Sequence, residues 1–234
     1  MYLRAEKVGL IMVTLSVVSL VFAGCGRQGA PSGKVEMTMK ETAETQAQKE
    51  EVPMPSTAPI TEERTYYDFE SDLNGWEVPQ WALGKSDYVA SDAQVSPEVA
   101  SKGKSSMMFK VDFPGNQWTA GLVEIQQFLN MSKYRVIRAD IYLPPDAPVG
   151  LKAKLILTVG DNWKFVEMSR SIPLIPGEWA TITANIEPGS YDWKRVVPDE
   201  TFAEDVRKIA VRIESNRKPV YTGYIFLDNV RVGR

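Results

Sequence analysis

The 234-residue sequence contains no histidine and one cysteine. Without imidazole there is no Ser-His-Asp or Cys-His catalysis and no His-ligated zinc or iron site. A single thiol excludes an intramolecular disulfide. Positive charge is also not in excess: 27 Lys and Arg against 30 Asp and Glu give a net charge of −3, without the basic footprint that nucleic-acid binding needs. A Gly-x-x-x-x-Gly-Lys-Ser/Thr loop is absent, and the one Gly-x-Gly-x-x-Gly, at residues 24–29, follows an uncharged apolar run and leads into a polar segment without strand or helix periodicity, so no phosphate cradle is expected. What the chain does have is tryptophan, six in all, every one between residues 76 and 193.

Residues 8–23 carry no charge and follow Arg4 and Lys7. The run is short for a membrane-spanning helix, which needs about 20 apolar residues, and suits a signal-peptide core. It ends in Phe22-Ala23-Gly24-Cys25, which resembles a bacterial lipoprotein cleavage box. The resemblance implies that residues 1–24 are a lipoprotein signal peptide and that Cys25 becomes the lipidated N-terminus. An extracytoplasmic, lipid-anchored protein follows, since each buried acyl CH₂ contributes about 0.8 kcal/mol to membrane attachment. The alternative is an uncleaved anchor with an incidental cysteine. Residues 26–64 contain no aromatic residue and are rich in Lys, Glu, Gln, Thr, Ala and Pro, so residues 25–64 are expected to be a disordered tether.

From residue 65 the pattern changes to short alternating runs. Met107, Phe109, Val111 and Phe113 share one parity, as do Ile137, Ala139 and Ile141, then Ala153, Leu155 and Leu157, then Ile209, Val211 and Ile213. Pro144-Pro145, Gly160-Asp161-Asn162, Pro176-Gly177 and Pro188-Gly189 break the runs. Period-two alternation with frequent turn signals predicts an all-β antiparallel sandwich over 65–234. One short helix is expected at residues 201–206 (TFAEDV), with Thr201 as its cap and Glu204 completing a capping box.

Tyr67-Asp68-Phe69-Glu70 and Asn74-Gly75-Trp76 at the start, with Gly223-Tyr224-Ile225-Phe226-Leu227-Asp228-Asn229-Val230 at the end, resemble the jelly-roll, galactose-binding-like carbohydrate-binding modules of bacterial glycan-degrading enzymes. The strand RADIYLP at 138–144 extends the resemblance. Trp81, Trp118 and Trp163, at the spacing found here, resemble the mannan-binding family 27 modules. The resemblance implies a non-catalytic domain that captures a β-linked polysaccharide or oligosaccharide, with mannan favoured and a separate glycoside hydrolase or transporter as an expected partner. It also implies a structural Ca²⁺ held by Asp68, Glu70 and Asp228, with backbone carbonyls from the 101–103 turn; hard oxygen donors without His or Cys suit that ion. The alternative function is a structural or assembly lipoprotein that uses the same sandwich for protein contact.

A flat indole can cover the C–H face of a pyranose. Three such contacts and a few hydrogen bonds give roughly −5 to −8 kcal/mol, or about 100 μM to 1 μM. Trp118 and Trp163 follow the polar turns Gly-Asn-Gln and Gly-Asp-Asn, so both are expected at exposed tips. Trp81 joins them through the resemblance. Glu124, Gln126 and Arg138 are the expected polar partners, with Asp140, Arg212 and Glu214 as further outward strand positions. Trp76 and Trp179 read as core, and Trp193 equally as core or rim. The E-x-D-x-x-E strand of jelly-roll glucanases is missing, so no hydrolytic carboxylate pair is expected.

Overall fold

The computed structural model describes residues 53–234. The expectations for the signal peptide, Cys25 and most of the tether therefore lie outside the described residues. Eleven strands are present: β1 (Glu63–Tyr67), β2 (Ala90–Ser96), β3 (Ser106–Pro114), β4 (Ala120–Leu129), β5 (Val136–Tyr142), β6 (Lys152–Val159), β7 (Lys164–Glu167), β8 (Ile172–Pro173), β9 (Trp179–Asn185), β10 (Val206–Glu214) and β11 (Val220–Gly233). They form two antiparallel sheets. The first has the order β2-β3-β11-β5-β9 with β1 also on β11, and the second has β4-β10-β6-β7 with β8 also on β6.

The alternation seen in the sequence builds the core directly, because successive side chains of a strand face opposite sides. Met107, Phe109, Val111, Phe113, Ile137, Ile141, Ile182, Ile225 and Leu227 face inward from the first sheet. Val123, Ile125, Leu155, Leu157, Ile209, Val211 and Ile213 meet them from the second. In β11 the period slips between Leu227 and Val230. A bulge between Asp228 and Arg231 takes up the extra residue, with Asn229 at φ 48°.

Three expectations change. Residues 201–204 form turns and Val206 already begins β10, paired to Leu129 and Val159. Asp199, not Thr201, supplies the cap, taking bonds from the Thr201 N–H (3.0 Å) and hydroxyl (2.7 Å). A single turn cannot repay helix nucleation against two strand partners. Trp179 leaves the core and packs at a tilt against Tyr142 (5.4 Å between ring centres) on the outer face of the first sheet. The folded part also begins before residue 65: β1 starts at Glu63, and Arg135 donates to the carbonyls of Ser56 and Ala58 while pairing with Glu187. Trp76 and Trp193 are buried, the latter donating Nε1–H to the Asn185 carbonyl (2.8 Å).

Candidate functional site: a groove on the second sheet

The outer face of the second sheet is laid out in cross-strand rows. Glu124, Ala210, Ile156 and Glu167 form one, running from β4 to β7. Gln126, Lys208, Thr158 and Phe165 form the next, and Leu122, Arg212 and Lys154 flank the first row on its other side. Leu122, Ile156 and Ala210 pack together as a small apolar floor with Tyr88 against it. Above this floor lies a groove of about 300 Å³, walled by Trp81 and Tyr88 toward the β4 edge and by Trp163 and Phe165 toward the β7 edge.

Each aromatic wall is placed by local structure. Residues 77–88 run along β4, fixed by bridges between Glu77 and Glu124 and between Tyr88 and Ala120. The turns between these two bridges raise Trp81 over the edge, with Tyr88 edge-on at 5.0 Å. Trp163 closes the four-residue loop that joins β6 to β7, since Val159 pairs with Lys164. Both tryptophans keep substantial exposure, 43% for Trp81 and 42% for Trp163.

The polar groups form an ion network under the rings. Glu124 Oε1 accepts from Lys208 Nζ (2.6 Å) and from Trp81 Nε1–H (3.2 Å). Arg212 lies between Glu167 and Glu214, and Lys154 approaches both carboxylates (3.9 and 3.6 Å). Burial alone would raise the Glu167 carboxyl. The Lys194 hydrogen bond and the Arg212 and Lys154 charges outweigh burial and hold it below the usual carboxylate range. Glu124, Glu167 and Glu214 thus face Lys208, Arg212, Lys154 and Lys194, so the charges of the network at and beside the groove nearly balance.

The expected site residues divide accordingly. Trp81, Trp163 and Glu124 come together in the groove. Trp118 is exposed (37%) but does not line it; Arg212, which does, lies against the Trp118 ring at 5.7 Å. Gln126 shares the row of Lys208, Thr158 and Phe165 but does not itself line the cavity. Arg138 is on the other sheet, opposite Arg231, and pairs with Glu63. Asp140 is on that sheet too, bound to Arg231, Thr181, Ser101 and Asn229. Tyr88, Phe165, Lys208 and Thr158 were not singled out from sequence.

The three expected metal carboxylates lie at the seam of the chain ends. Asp228 is fully buried and accepts the N–H groups of Ser101 (2.8 Å), Lys102 (3.0 Å) and Asn229 (2.6 Å). Glu70 accepts those of Lys104 (2.8 Å) and Ser105 (3.2 Å), and Asp68 accepts the Glu70 N–H (3.4 Å). The turn therefore offers Asp228 two of its N–H groups. Among the described residues no cluster of three or more His, Cys, Asp or Glu side chains is gathered as a metal set.

A family model described as "Mannanase, galactose-binding domain-like" matches residues 67–229. The chain belongs to this mannanase galactose-binding-like domain family. Its fold is shared with solved carbohydrate-binding modules. The Caldicellulosiruptor saccharolyticus module CBM27-1, crystallised with mannohexaose, aligns at 20% identity with a TM-score of 0.52 over 74% of this chain and 97% of that one. A CBM28 described as specific for non-crystalline cellulose aligns at 16% identity with the same TM-score over 74% and 96%. No curated protein sequence matches. The mannanase galactose-binding-like domain is thus a jelly-roll sandwich of the carbohydrate-binding-module kind, and glycan binding is the function its family and fold support.

Proposed function

We propose that the protein is a non-catalytic, membrane-tethered glycan-binding module that lays a neutral β-linked polysaccharide, of mannan type, across the second sheet. The carrying observation is the groove: two exposed tryptophans rise at its two ends over an apolar floor. Sugar rings stack on Trp81 and Trp163, while Lys208, Arg212 and Thr158 supply hydrogen bonds. The near balance of charge favours an uncharged polymer, because a polyanion would call for a positive groove. Glycoside hydrolysis needs one carboxyl held protonated. Glu167 is held ionised and Glu124 is ion-paired, which supports a binding role. The mannan preference rests on the family and on the tryptophan spacing, and the tether on Cys25 and the apolar run before it.

Affinity electrophoresis of the protein against galactomannan, xylan, hydroxyethylcellulose and polygalacturonate tests the reading. Strong retardation by galactomannan and none by polygalacturonate is expected. Free migration in every gel would remove the glycan reading and leave the assembly role.

Calcium belongs to the same proposal. Asp228 has no Lys or Arg partner among the described residues, and burial pushes its carboxyl above the usual range despite the N–H groups it accepts. A hard cation at this turn, held by Asp228 and Glu70, would relieve that charge. Thermal unfolding after chelation should then show a Tm several degrees higher in millimolar CaCl₂, by mass action. An unchanged Tm would mean that the main-chain N–H groups are the only partners these carboxylates have.

A further inference from the structure

Trp163 sits at φ 55°, a left-handed conformation that suits glycine or asparagine and is an outlier for a bulky side chain. Such strain persists only where the surroundings hold it, and it concentrates at binding sites. Here the holding group is Arg207, which does not line the groove. Its guanidinium lies against the rings of Trp163 (5.1 Å) and Phe128 (5.4 Å), themselves edge-on at 6.0 Å. The guanidinium is in turn fixed. It pairs with Asp205 (2.8 and 2.9 Å) and donates to the Asp161 carbonyl (3.1 Å) in the same loop as Trp163. The Gly160 N–H closes this frame on the Asp205 carbonyl (2.9 Å).

We propose that Arg207 is a positioning residue of the groove, clamping the strained Trp163 indole so that its ring stands ready toward the floor. The proposal rests on the glycan-binding reading above. An exposed indole would otherwise lose rotamer freedom on meeting a sugar. A guanidinium already fixed to Asp205 and to the loop removes that freedom beforehand. Lysine keeps the charge but neither the planar stack nor the two-sided grip.

The test is calorimetric titration of the protein with β-1,4-mannohexaose, combined with 5-fluorotryptophan labelling. Two weak cation–π contacts imply that Arg207→Ala lowers affinity about five- to tenfold, and Arg207→Lys by less. In a Trp163→Ala background, Arg207→Ala should change affinity by less than about twofold, because non-additivity marks residues acting through one another. In the ligand-free protein, the ¹⁹F resonance of Trp163, assigned with Trp163→Phe, should shift in Arg207→Ala and move partly back in Arg207→Lys. The resonances of the buried Trp76 and Trp193 should hold, which a general loss of structure would not allow. Equal losses in both backgrounds would make Arg207 a direct ligand contact and overturn the proposal, as would an unmoved Trp163 resonance. If the unmodified protein binds no mannohexaose or other glycan, the binding reading falls, and the ¹⁹F result still decides whether Arg207 positions Trp163.

Discussion

Replacing Trp81 and Trp163 together with alanine should weaken mannan binding by about 100-fold or more, because each sugar ring stacked on indole contributes about 0.5–1.5 kcal/mol beyond its buried area. Buried area of order 50 Å² per ring adds about 1.2 kcal/mol at roughly 25 cal/mol per Å². The two walls together would then supply about 3.4–5.4 kcal/mol, roughly half of a micromolar affinity. Stability should scarcely change: both rings stand outside the core with about two-fifths of their surface exposed, and Glu124 keeps Lys208 when the Trp81 hydrogen bond is lost. A shift in Tm of less than about 3 °C is expected for exposed substitutions of this kind. Trp118→Ala provides the contrast. Its ring meets Arg212 rather than the cavity, so its loss should act only by loosening that guanidinium and cost less than about tenfold. Titration calorimetry of the double and single variants checks this. Affinity of the double variant within about twofold of the parent would mean that the groove is not where the polymer sits.

The largest stability effect should come from the opposite sheet. Asp228→Ala strips the acceptor from three main-chain N–H groups at once. A buried donor left without a partner costs about 1–3 kcal/mol, and relief of the buried charge offsets part of the sum. A net loss of about 3 kcal/mol is expected, read by urea unfolding. Asp228→Asn keeps one carbonyl oxygen and should lose about half as much. Neither change touches the groove, so the folded fraction should bind mannan with unchanged affinity. A loss below about 0.5 kcal/mol in Asp228→Ala would show that the 101–105 turn does not depend on this carboxylate.

Much of this was legible in the sequence, and the illegible parts have physical reasons. Alternation gave the strands and their inward residues, because burial on one face imposes a period of two. Trp163 was legible from its Gly-Asp-Asn turn, and Glu124 from its parity between Val123 and Ile125. Parity says that a residue faces outward; it does not say from which sheet. Arg138 has the right parity, but β5 pairs with β11 and β9, so its side chain meets Glu63 on the far side. Lys208 was hidden by the bulge between Val206 and Lys208, which shifts the alternation at the start of β10. Phe165 lies in a four-residue strand too short to show a period. Trp179 was misread because a tryptophan opening an alternating strand fits either face, and only pairing with Tyr142 decides which. The helix expected at 201–206 failed for a different reason: local capping chemistry was present, but the last of its residues was claimed by two neighbouring strands.

The way the chain enters the sandwich has a mechanical consequence. Arg135 grips the carbonyls of Ser56 and Ala58, and Thr61 donates to the Arg234 carbonyl, all at one end of the first sheet. The groove opens on the outside of the second. Residues 56–61 and the groove are therefore carried by different sheets of the sandwich, and such sheets pack about 10 Å from one another. Tension between residues 56–61 and a polymer laid in the groove would be borne through the interdigitated core rather than by prising β4 or β7 off its edge.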